Sequence, residues 1–160
     1  MSAIESRWDL DNAYEAFGDY FNCGGYALGC FQWYLPYEWG GRMYEMVEEL
    51  GYERMLEHCV GHMLHDSYLR DLRVLGEDDV LEDDERLILF RIGDYDFHYI
   101  VQSKHGEYFH KQGWGPIEPI DKEIVEGGDW DFGEETYYDS DIVRLAITVD
   151  EELLWLWGFE

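Results

Sequence analysis

The sequence predicts an α+β domain, on three observations. Apolar residues recur at helical spacing through 26–34, 43–50 and 56–63. The segments 86–92, 96–103, 107–112 and 142–149 read as strands. No linker, internal repeat or proline-rich break divides the 160 residues, so a single domain over 1–160 is expected, with a helix bearing Cys23 packed on an antiparallel sheet bearing His98 and His110. A chain that is 46% hydrophobic and 18% aromatic can bury one sizeable core.

The first helix begins at Asn22, a good N-cap, and carries Tyr26, Ala27, Cys30, Phe31 and Tyr34 on its apolar face. Cys23 is then the first helical residue, where unpaired N–H groups and the helix dipole favour a thiolate over a thiol. Gly24 and Gly25 are poor helix formers, and close approach by a substrate backbone is the expected reason for them. Over 41–50 an amphipathic helix turns Met43, Met46, Val47 and Leu50 inward and is capped by Gly51. Another helix over 53–65 buries Leu56, Cys59, Val60 and Met63. His58, His62 and His65 form a neighbouring stripe on it; zinc would need three or four convergent ligands, with Cys59 or Asp66 adding to the stripe, so a polar helix face is the expectation.

Segment 77–85 holds seven carboxylates and no basic residue, and is expected as an acidic insertion. Residues 86–92 read as a buried strand, 96–103 as an alternating strand and 107–112 as its hairpin partner across Lys104-His105-Gly106. With that three-residue loop Ser103 faces Glu107, Ile100 faces His110 and His98 faces Gln112, so His98 and His110 are diagonal neighbours on one face. A two-residue loop would turn His110 to the other face. His98 is then a candidate base and His110 the residue that orients its ring, with Gln112 and Asp96 as substitutes; alternation puts Asp96 on the His98 face as well. Residues 126–141 are an acidic, aromatic stretch, within which 127–135 misses the calcium-loop spacing and is expected as a solvated loop with aromatic anchors that forms one wall of a substrate groove. After the strand at 142–149, the apolar end Leu153-Leu154-Trp155-Leu156-Trp157 must pack on the domain or form an interface.

Several of these pieces resemble the papain-like thiol hydrolases in their circularly permuted, NlpC-like form, a group that includes small bacterial and phage proteins of unassigned substrate. They are Asn22-Cys23 followed by Ala27-Leu28-Gly29, Trp33 with Pro36, Leu50-Gly51-Tyr52-Glu53, the His98-Tyr99-Ile100-x-Gln102 strand, and Gly106-x-x-x-His110-Lys111-x-Gly113. The resemblance covers roughly residues 20–120 and leaves out the acidic segments 77–85 and 126–141. It implies Cys23 as nucleophile, His98 as base and His110 as orienter. The expected reaction is acyl transfer through a thioester, as in a peptidase or amidase, with the Cys23 backbone N–H holding the oxyanion and Asn22, Asp96 or Gln112 assisting. Gly24, Gly25, Trp33 and Trp114 are expected to contact substrate. No metal or organic cofactor is required.

The charge is the most unusual property: 37 acidic against 11 basic residues give −26. Such a field repels nucleic acid and anionic wall polymers and attracts cationic peptides and basic protein surfaces, so a peptide or protein substrate is expected to be neutral or cationic. It also raises a thiol pKa, which opposes the hydrolase chemistry. The rival expectation is therefore a non-catalytic, acidic binding or anti-defence protein of phage type that imitates the charge of nucleic acid on a papain-like scaffold. No phosphate-cradling glycine loop or basic stripe supports direct nucleic-acid binding. Neither a signal peptide nor a membrane span is expected, and three cysteines, an odd count, fit reduced thiols in the cytoplasm.

Overall fold

The computed structural model describes residues 21–30, 32–37, 42–67, 69, 71–103, 106–112, 117–128, 130 and 138–148. The fold is α+β: a Cys-bearing helix and a longer helix pack on an antiparallel sheet that contains both His98 and His110. The elements are α1 (Cys23–Ala27), α2 (Met43–Leu64), β1 (Arg73–Val74), β2 (Glu85–Ile92), β3 (Phe97–Gln102), β4 (Tyr108–Lys111), β5 (Ile117–Ile120), α3 (Lys122–Gly127) and β6 (Val143–Thr148). Strand order is β1-β6-β2-β3-β4-β5, every neighbouring pair antiparallel.

Both faces of this sheet are covered, which explains why β2 and β3 are buried at nearly every position instead of alternating. On one face Ile88, Phe90, Tyr99, Val101 and Phe109 pack against Cys23 and Tyr26 of α1 and Met55, Cys59 and Met63 of α2. On the other, Leu87, Leu89, Ile100 and Ala146 meet Val125 of α3 together with Trp130 and Tyr138. The β3–β4 hairpin takes the three-residue register: Val101 pairs with Phe109, Gln102 with Tyr108, and the Ser103 N–H donates to the Glu107 carbonyl at 2.8 Å.

Two of these elements depart from expectation. The helix at Cys23 lasts five residues instead of running toward Tyr34, because Gly29 turns left-handed (φ 72°) and residues 32–34 fold back over its first turn. By contrast, the helices expected at 41–50 and 53–65 are both present within α2 and meet at Gly51, whose non-helical φ of 80° and ψ of 165° only glycine adopts without strain. Strand β5 contains Pro119, a residue that argues against a strand interior but is tolerated on an outer strand. The acidic segment forms the β1–β2 connection, pinned by a two-pronged Arg73–Glu85 contact in which Nε and Nη2 each donate at 2.8 Å. No helix among the described residues is long and apolar enough to cross a membrane. The apolar end 153–157, the loop residues 104–105 and Trp114 lie outside the described residues.

Candidate functional site

Cys23 opens α1 as expected, with the Asn22 Oδ1 accepting from the Gly25 N–H at 3.0 Å. The same oxygen accepts from the Tyr34 N–H at 3.1 Å, and Asn22 Nδ2 donates to the Tyr34 carbonyl at 2.8 Å. Asn22 therefore clamps the returning chain onto the helix start, a structural task, instead of facing a substrate oxygen. The glycines have the same origin. A Cβ on Gly25 would lie 2.0 Å from the Gln32 carbonyl oxygen, and one on Gly24 would lie 3.1 Å from the Tyr99 ring. Packing inside the protein, not the approach of a substrate, accounts for both.

The sulfur is enclosed, with Cys23 only 5% exposed. Burial pushes its pKa up to about 12 and the Asp96 carboxylate adds to the rise, while backbone hydrogen bonds from Tyr99 and Gly24 and the charge of Lys111 pull only partly the other way. The backbone dipoles at the helix start thus oppose the rise only in part, because they do not offset the loss of water around an anion. Lys111 itself is fully buried, its Nζ 5.2 Å from the centre of the Phe21 ring. Trp33 is 42% exposed.

His98 and His110 do meet. His98 Nε2 and His110 Nδ1 are 2.9 Å apart, with the rings edge to face at 85°. One ring must donate and the other accept, so at least the accepting ring is neutral while the bond lasts. His98 also stacks on Tyr138 (5.3 Å, 28°) and meets Trp130 edge-on at 6.4 Å. Burial holds the His98 pKa well below 6.5, with a further push from His110, and burial lowers His110 to about 4. Arg91, directly across β2 from His98, holds the enclosing segments in place: Nε donates to the Ser140 carbonyl and Nη1 to the Gly128 carbonyl, both at 2.6 Å, and its guanidinium lies 5.4 Å from the centre of the Trp130 ring.

The two halves of the expected dyad lie on different faces. Cys23 packs with Tyr99 on the α1 side, whereas His98, one residue earlier on β3, packs with Trp130 and Tyr138 on the α3 side. Asp96 sits ahead of the strand with Oδ1 accepting from the Phe97 N–H, and its charge acts on Cys23 and Tyr37. The expected alternation thus stops one residue short of Asp96. Gln112, half-buried, falls opposite His98 when the β3–β4 register is extended.

Sequence reasoning missed Arg91, Lys111 and the pairing of Trp130 and Tyr138 with His98. Parity could have placed Lys111 on the face opposite His110. No short-range pattern links Trp130 or Tyr138 to His98. On the exposed side of α2, His58, His62, His65 and Asp66 line an open cleft of about 400 Å³ around Gly61, and the described residues contain no group of three or more side chains able to hold a metal ion. No protein-family model matches the chain, and no curated protein or solved structure shows significant similarity to it.

Proposed function

We propose that the protein acts by binding, not by thiol chemistry: it is an acidic module that engages the basic surface of a partner protein, imitating nucleic-acid charge, on a scaffold resembling the papain-like fold. The observation that carries this reading is the β1–β2 connection. Glu77, Asp78, Asp79, Glu82, Asp83 and Asp84 are all exposed there, while the Arg73–Glu85 contact and a hydrogen bond from the Gly76 N–H to Asp79 Oδ2 hold the turn in shape. Glu85 is excluded from the binding set, because Arg73 and the Glu82 N–H hold its carboxyl below the usual carboxylate range. A net charge of −26 extends the same sign over the whole chain and steers cations toward it.

The test is binding of a fluorescent octalysine peptide at low and moderate salt. Replacing the six exposed carboxylates by their amides should weaken binding at least tenfold and flatten its salt dependence, while Cys23→Ala leaves it unchanged. Equal binding by the six-fold variant, or no binding by the parent protein at low salt, would sink the proposal. The thiol-hydrolase reading keeps one supporting feature, the Asn-capped Cys23 with backbone N–H groups directed at its sulfur. Rapid alkylation of Cys23 would favour it.

A further inference from the structure

The kink at Gly51 and the β2–β3 turn enclose a second cleft, of about 380 Å³, away from both the cysteine and the imidazole pair. That volume is at the small end of the range for ligand pockets. Tyr44 and Tyr95 form one side, their ring centres 5.9 Å apart and their planes inclined at 46°. Tyr95 is 70% exposed, a large aromatic left in water at the tip of a turn. Two carboxylates share the cleft: Glu48, one turn along α2 from Tyr44, and Asp94, next to Tyr95. The Tyr52 hydroxyl donates to Asp94 Oδ1 at 2.6 Å and fixes that carboxylate against the aromatic side. Burial and Asp94 both push the Tyr52 pKa up to about 12, so the phenol keeps the proton that it donates. Gly51 leaves the space open, since a side chain there would meet nothing within 4 Å. Arg42 reaches the Tyr44 hydroxyl at 3.4 Å and does not line the cleft.

Inclined aromatic faces beside carboxylates form a receptor for an organic cation: the ring quadrupoles attract the charge, the acids neutralise it, and the apolar rings accept the methylenes that carry it. We infer that this cleft binds the side chain of a lysine presented by the partner protein. The inference rests on the acidic-binding reading and adds to it the anchoring residue, since long-range attraction steers a partner but does not fix its register.

The experiment uses two probes, Nα-acetyl-lysine methylamide followed by NMR and the octalysine peptide followed by fluorescence. Expected are saturable shifts of the Tyr44 and Tyr95 ring signals and upfield movement of the probe's ε-methylene protons. Tyr95→Leu should weaken the single-lysine complex about two- to fivefold, whereas Tyr95→Phe, which keeps the ring face, should retain it. Glu48→Gln should weaken it as well. If octalysine binds while Tyr95→Leu leaves the single-lysine complex unchanged, or the ring signals stay still, the cleft assignment is overturned and the acidic-binding reading stands. If neither probe binds, both fall together.

Discussion

Mild acid should loosen this fold through its imidazole pair. His110 is 4% exposed and its pKa is lowered by burial to about 4, against 6.5 for a histidine in an unfolded chain. Because the folded value is the lower one, the unfolded chain takes up the proton first. The stabilisation from keeping the ring neutral is complete above pH 6.5 and drains away as pH falls toward 4. Between pH 7 and pH 5 linkage converts that difference into a loss of about 2 kcal/mol from His110 alone. His98 shifts in the same direction and adds to the loss. The carboxylates work against this trend, since partial protonation of a chain at −26 relieves its self-repulsion, so the effect has to be read by difference. Urea unfolding at pH 7, 6 and 5, followed by circular dichroism, would be compared between the parent protein and His110→Gln, which keeps a hydrogen-bonding side chain but cannot titrate. The variant starts from a lower baseline; the informative quantity is its slope with pH, expected to be shallower by about 2 kcal/mol over the interval. Parallel slopes, or a His110 ring that titrates in the folded protein near pH 6.5, would refute the reasoning.

Two further outcomes are expected. Cys23 should react slowly with iodoacetamide in the folded protein near neutral pH, at a rate unaltered by His98→Ala once the variant is shown to be folded; mass spectrometry reads the modified fraction, and a fast reaction abolished by that substitution would restore the catalytic dyad. Gly25→Ala should cost about 2–3 kcal/mol, because its methyl meets a backbone oxygen that cannot swing aside, while Gly24→Ala should cost about 1 kcal/mol against the more yielding Tyr99 ring, as measured by thermal and urea unfolding.

The hairpin was legible in detail because parity is a strong local constraint. A loop over 104–106 fixes the β3–β4 register, and the register alone puts His98 and His110 on one face. Parity does not say which face the Cys23 helix covers. In a sheet buried on one side, the polar residues would reveal the answer. Here both faces of β3 are buried, so Phe97, Tyr99 and Val101 looked no more core-facing than His98 and Ile100. The N-cap at Asn22 was legible from one residue type, yet the length of α1 was not, since its end depends on Gly29 and on the return of Tyr34 to the Asn22 side chain. The acidic segment was recognisable by composition, and its Arg73–Glu85 anchor, twelve residues apart in sequence, was not.

The outer strands of the sheet set the terms on which anything can associate with this protein. One of them, β1, is two residues long, and the other, β5, carries Pro119 and the exposed Glu118. Among the described residues neither offers an uninterrupted row of amide hydrogens for a foreign strand to zip onto, which disfavours growth by backbone pairing, the usual opening for amyloid-like stacking, along these two strands. Recognition along these strands falls to side chains, and among the described residues most of the exposed ionic ones are anionic.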